Sequence, residues 1–218
     1  MLDRFLDLLT PAERELFLGL DSPLAVQRFL DDLPYSAEDA NRCPLQVLRD
    51  RVAHCLDGAL FAAAALWRLG HPPLILDLLP EPGRDDDHVL AIYRVDGHYG
   101  AVAKSNYVGL RFREPIHRTL RELALSYFEA FYNVAGEKTL RVYTRPLDLR
   151  RDAADWLWTS AGADRVYKRL LRFAPIPLLT PAMVARLSPV DSLSYAAMMT
   201  GANPAGLYRP SALMVGNQ

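Results

Sequence analysis

Cysteine is nearly absent from this chain: two in 218 residues, Cys43 and Cys55. A disulfide framework is therefore not what organises it. Cys43 reads as a small buried hydrophobe. A zinc site drawn from Cys43, His54, Cys55 and His88 would lack the paired ligand spacing such sites use. Neither sign of charge dominates, with 25 basic against 26 acidic residues. That argues against a dedicated nucleic-acid surface. No apolar run approaches the roughly 18 residues of a membrane span. The start, Met1 to Leu9, lacks the basic, apolar and small-residue regions of a signal peptide and reads as an amphipathic helix. No Asn-x-Ser/Thr sequon occurs, and the cytoplasm is the expected compartment. G-x-G-x-x-G, P-loop, G-x-S-x-G and H-E-x-x-H motifs are missing too. Cofactor-dependent redox, nucleotide hydrolysis and serine-esterase chemistry thus have no motif behind them, and no cofactor or metal is expected.

What is present suits one core. Half the residues are hydrophobic and 23% are charged, an ordinary globular composition. With no internal repeat or low-complexity linker, residues 1–218 read as a single domain. Within it, 1–35 hold short N-terminal helices, 36–145 a central core, and 146–218 a helical, proline-rich wrap. Thr10-Pro11 and Ser22-Pro23 supply a cap followed by proline at the first helical position. Pro44 to Arg49 predicts a short helix. Cys55 opens a longer one that ends at Gly70 and carries small residues on several faces, as a central buried helix does. Residues 73–80 predict an apolar strand. Residues 88–95 and 98–106 predict a hairpin across Asp96-Gly97, a type I′ turn signature. An amphipathic helix is expected over 115–133 and a strand at 139–144. The apolar residues of 175–218 say that this tail lies on the core.

The chemistry-bearing pair is Cys55 and His88. A thiol at a helix start gains from unpaired N–H groups and the positive dipole end, which favour thiolate. A histidine delivered by a later strand can act as its base. A buried structural cysteine beside an ordinary strand-end histidine accounts for the same residues. Asp85-Asp86-Asp87 reads first as a solvated loop, and second as a feature that raises the pKa of the neighbouring His88 imidazole or attracts a cationic substrate. The hairpin register pairs Val95 with His98 and, counted outward, His88 with Ser105. Asn106 reaches the imidazole only if a bulge shifts that register by one.

Cys-x-x-x-Ala, an alanine-rich helix ending in Leu-Gly, a strand, then Asp-His and a second strand together resemble the transglutaminase-like superfamily, of bacterial type, within the papain-like fold. The likeness spans roughly residues 30–110. It implies an α+β fold: a central nucleophile helix packed on a small antiparallel sheet of three to five strands, flanked by extra N- and C-terminal helices. It implies thiol acyl chemistry on an amide, with Cys55 as nucleophile and His88 as base, giving hydrolysis or acyl transfer. Its substrate would be a peptide, a protein or a small amide, with neither nucleic acid nor membrane as partner. The superfamily orients its histidine with an Asp on the following strand. Here that strand reads Ala103-Lys104-Ser105-Asn106, so Asn106 or Ser105 is the expected orienter. Gln46, upstream of the cysteine, is the candidate oxyanion-hole donor. The alternative the residues leave open is a binding or scaffold protein on the same fold, with Cys55 and His88 as remnants.

Overall fold

The computed structural model describes residues 1–209, so the part of the tail at 210–218 lies outside the described residues. Three helices precede the core: α1 (Leu2–Asp7), α2 (Pro11–Leu18) and α3 (Pro23–Asp31). Local chemistry sets their starts. The Thr10 hydroxyl accepts from Glu13 N while the Glu13 carboxylate accepts from Thr10 N at 2.8 Å, a reciprocal cap. The Ser22 hydroxyl does the same for Ala25 N at 3.2 Å. Then come α4 (Pro44–Asp50) and α5 (Cys55–Arg68). Every residue of α5 from Cys55 to Leu66 is buried, as its alanine-rich composition requires.

The strands are β1 (Leu74–Pro80), β2 (His88–Val95), β3 (His98–Val102), β4 (Arg113–His117), β5 (Leu140–Tyr143), β6 (Leu147–Asp148) and β7 (Ile176–Pro177). They form one antiparallel sheet in the order β4-β3-β2-β1-β5-β7, with β6 also paired to β1. Helix α6 (Leu120–Leu125) follows β4, while α7 (Ser160–Leu170), α8 (Pro181–Val184) and α9 (Ser192–Met198) lie in the C-terminal part. The architecture is thus mixed α and β, with a small antiparallel sheet and helices. It has more strands than the expected three to five because two short ones extend the β5 side.

The Asp96-Gly97 turn forms as expected. Both residues have positive φ, 46° and 83°, and Val95 pairs with His98. The expected helix over 115–133 does not form as one piece. Arg113–His117 instead pairs with β3 as an edge strand of alternating exposure. Thr119 then caps α6, and a single 3₁₀ turn follows at Phe128–Ala130. Pro115 is tolerated on that edge because an edge strand need not donate from every N–H.

Strand alternation divides the interior in two. Ile75, Val89, Ala91 and Val102 point to the α5 side, where they join Phe17, Leu30, Phe61 and Trp156. Leu76, Leu78, Leu90 and Ile92 point to the other side, against Leu123, Tyr127, Phe131 and Met198. Met198 and Leu178 show that the proline-rich tail, as far as it is described, lies on this second core.

Helix α5 meets the sheet most closely at Gly58. A Cβ there would lie 2.2 Å from Lys104 Cβ. Lys104 cannot swing away, since its buried ammonium donates to Leu30 O at 2.8 Å and also to Leu33 O. Burial lowers its pKa to about 8, and those carbonyls, at the C-terminal end of α3, are what hold it. Gly→Ala inside a helix ordinarily stabilises by about 0.5–1 kcal/mol. Gly58→Ala should instead destabilise, by about 1–3 kcal/mol, the cost of overpacking a tight core contact. Thermal denaturation of the variant checks this, and an unchanged or raised Tm would contradict the close approach.

Candidate ligand site

The first turn of α5 is neutralised from within. Asp57, fully buried, accepts from Arg42 N at 2.7 Å and His54 N at 3.1 Å. His54 Nε2 lies 3.1 Å and the Arg42 guanidinium 3.8 Å from the same carboxylate. The dipole end that would favour a Cys55 thiolate therefore already faces a carboxylate. Cys55 is 7% exposed, and its Sγ lies 3.9 Å from the Asp87 carbonyl oxygen. Burial, followed by the charges of Asp87, Asp86 and Asp77, pushes its thiol well above the usual range. Both effects favour the thiol over the thiolate.

His88 lies on the other face of the sheet. It pairs with Leu78, and it shares the side of Leu90 and Ile92, away from α5. Its ring centroid is 6.2 Å from that of Tyr127, and its Nε2 is 2.7 Å from the Leu110 carbonyl oxygen. It is 4% exposed, and burial lowers its pKa to about 4. The contact found for His88 is thus with Leu110, and that found for the Cys55 thiol is with the Asp87 carbonyl. The residue of that strand start nearest the thiol is Asp87, and strand neighbours point to opposite faces.

The expected orienters do not meet the imidazole either. Strand β3 ends at Val102, so the chain leaves the ladder before Ser105. The Ser105 hydroxyl accepts from Tyr107 N at 3.0 Å. The Asn106 carboxamide is bound to the tail: Nδ2 donates to Asn203 O at 2.9 Å, and Oδ1 accepts from Asn203 N at 2.7 Å. Both residues share a cavity wall with His88, but the imidazole bonds to Leu110. Gln46 Oε1 accepts from Cys43 N at 3.1 Å and from the Ser160 hydroxyl at 2.8 Å, which makes it a helix cap.

Two adjoining cavities flank the Asp85–Asp87 loop. An inner chamber of about 30 Å³ is lined by His88, Ser105, Asn106 and aromatic rings. An outer cleft of about 410 Å³ is bordered by Cys55, His54 and Tyr167. Both share Tyr35, Asp86, Asp87, Gly206 and Tyr208. Asn203 Nδ2 also donates to Tyr35 O at 3.0 Å, so the 203–208 segment is a fixed part of the wall. Asp77 stands behind this wall, 1% exposed, its Oδ1 without a hydrogen-bond partner. A lone Asp inside the apolar run 74–80 was the available signal for it. Asn203 and Tyr208 gave none, since they reach the site only through tertiary contact.

No family model matches the chain, and no curated protein matches it. Among solved structures, the chain is similar to LapG of Legionella pneumophila in its EGTA-treated form. The identity is 11% and the TM-score 0.42, over 78% of this chain and 97% of that one. At that level of likeness, neither fold details nor a function transfer. Among the described residues, no helix is long and apolar enough to cross a membrane.

The carboxyls give the site a definite pH response. Burial and the charge of Asp86 raise Asp87 from 3.8 to about 7, and burial raises Asp85 to about 6. A carboxyl with a raised folded pKa keeps its proton longer in the fold. Its stability contribution is therefore full below its unfolded pKa and is lost as pH climbs through the folded one. Asp87→Asn, neutral at every pH, should raise stability at pH 8 by about 1–2 kcal/mol after allowing for solvent in the cavity, and should change little at pH 4. Melting curves at the two pH values check this; a variant less stable than the parent at pH 8 would contradict the raised pKa.

Proposed function

We propose that the chain is a ligand-binding module on a transglutaminase-like frame, in which Cys55 and His88 have structural rather than catalytic roles. The observation that carries this reading is parity in β2. Asp87 and His88 are consecutive and face opposite sides, and it is Asp87 that lies beside Cys55. A thiol catalyst needs its base within hydrogen-bond reach of the sulfur and a positive environment for the thiolate. Carboxyls surround this sulfur, and the helix end beneath it is already answered by Asp57. The cavity beside it has what a binding site needs: concavity, aromatic walls and a few polar groups.

A second reading keeps thiol acyl chemistry on a peptide or amide, by hydrolysis or acyl transfer. One observation favours it: Cys55 opens α5 and borders the outer cleft, where a carbonyl could reach it. It requires a base other than His88. His54 lines the same cleft, but it is committed to Asp57 and burial lowers its pKa to about 4.

The two readings separate in one assay. The purified chain and its Cys55→Ala variant are compared for hydrolysis of a fluorescent peptide pool, and the Cys55 alkylation rate by iodoacetamide is followed from pH 6 to 9. The binding-module reading predicts equal hydrolysis by both proteins and alkylation about tenfold or more slower than that of an exposed cysteine at pH 7. Cys55-dependent turnover, with fast alkylation at pH 6, would establish the thiol reading instead.

A further inference from the structure

A further cavity, of about 290 Å³, lies where α3 ends and the chain leaves β3. Its walls include Asp31, Tyr35, Lys104, Ser105, Asn106 and Arg111, but neither Cys55 nor His88. Tertiary hydrogen bonds hold this frame. Asn106 is tied to Asn203 by two of them, and the Tyr127 hydroxyl fixes the Arg111 main chain by donating to its carbonyl at 2.8 Å.

The charges of the wall are not balanced. Lys104 is 3% exposed, and its ammonium donates to the Leu30 and Leu33 carbonyls. Those oxygens answer two of its three N–H groups, yet a main-chain carbonyl carries no net charge to set against the ammonium. Among the described residues no carboxylate forms a salt bridge with it, although buried charges are ordinarily paired. Arg111, the second cation of the wall, has one ionic contact, with Asp31 Oδ1 at 3.4 Å. That oxygen already accepts from Gln27 Nε2 at 2.8 Å. Among the described residues the Arg111 guanidinium donates no hydrogen bond, and its Nε is buried without a partner. Burial first, and the Arg111 charge second, lower the Lys104 pKa to about 8, as expected where two cations repel one another in a poorly solvated space. Asp31 and Asp32 act in the opposite sense and do not cancel the effect. The Ser105 hydroxyl, which accepts from Tyr107 N, keeps its own proton to donate.

These groups select the sign and shape of a ligand. A cation would meet two like charges, and an apolar group would leave the same donors unanswered. An oxyanion relieves the repulsion between the cations. The planar guanidinium also offers it parallel N–H groups, matched to two oxygens of a carboxylate or a phosphoryl group. The volume, about 290 Å³, is at the small end of small-molecule sites, which suits an anionic head with a short organic remainder.

We propose that this cavity is a binding site for a small oxyanion, a carboxylate or a phosphoryl group, held by the Arg111 guanidinium with Lys104 and Ser105 as further donors. The site goes beyond the binding-module reading and does not depend on what Cys55 does, so either can fail without the other.

Calorimetric titration of the full chain tests it, in about 150 mM sodium chloride so that unspecific attraction is screened. Inorganic phosphate is the probe for the phosphoryl group and acetate for the carboxylate. At least one should bind saturably with a Kd below about 10 mM, and the tighter of the two assigns the source. Arg111→Gln should weaken that binding about tenfold or more, as loss of a charge-assisted pair does. Arg111→Lys should recover only part of it, because an ammonium lacks the fork. Arg172→Gln, which alters an exposed arginine outside the cavity wall, should leave it unchanged. Lys104→Met is the less clean variant, since that ammonium also ties α3 to the sheet. Arg111, with a side chain 33% exposed, tests the site without that complication. No saturable binding of either anion, or undiminished binding in Arg111→Gln, would overturn the proposal. Full recovery in Arg111→Lys would overturn the part assigned to the guanidinium fork.

Discussion

The register between β1 and β2 is the constraint on which the rest of this structure depends. Pairing Asp77 with Val89 and Leu78 with His88 decides which side chains meet α5 and which enter the opposite core. A shift of one residue would exchange every one of them. Val89 and Ala91 would move to the second core, Leu90 and Ile92 to the helix side, and His88 would then face Cys55. Burial of both faces forbids that exchange, because each core is fitted to its own set of residues. The chemistry of the site is thus a by-product of packing: the same alternation that fills two cores turns the His88 imidazole to the second core and leaves the Asp87 main-chain carbonyl beside the thiol.

Tight helix–sheet contact reinforces the register. Gly58 lets α5 approach Lys104 until only a hydrogen fits between them, and Lys104 in turn ties the sheet to the carbonyls that end α3. At the mouth of the site the tail closes the arrangement. Asn106 holds the Asn203 peptide by two hydrogen bonds, as a neighbouring strand would. Gly206 lies against the Tyr35 ring, where a Cβ would come within 2.9 Å. Core, cavity wall and tail segment therefore share the same few residues.

Much of the frame was legible in the sequence because it rests on local signals. Pro after a capping residue, small residues on every face of α5 and the Asp96-Gly97 turn each have one dominant conformational outcome. The β4 region was not legible, since Ile116, Leu120 and Leu123 fit a helical period while edge pairing with β3 decided the matter. The site was legible in its members but not in their relations. Cys55, His88, Ser105 and Asn106 all border these cavities, yet strand parity separates the first two and a contact 97 residues distant claims the last. Gln46 went astray for a simpler reason: a Gln at the third position of a helix caps its own start. Asp85–Asp87, read first as a solvated loop, turned out to form the wall of the site.

In the proposed binding module, Cys55 and His88 do not form an ion pair. The direct measurement is the pKa of the His88 imidazole by NMR, in the parent and in Cys55→Ser. A histidine buried against Tyr127 and bonded to the Leu110 carbonyl should titrate near its lowered value of about 4, and should be unchanged by the substitution. An imidazole that titrates well above its usual range in the parent, and falls by about one unit or more in Cys55→Ser, would reveal a thiolate–imidazolium pair and contradict the account.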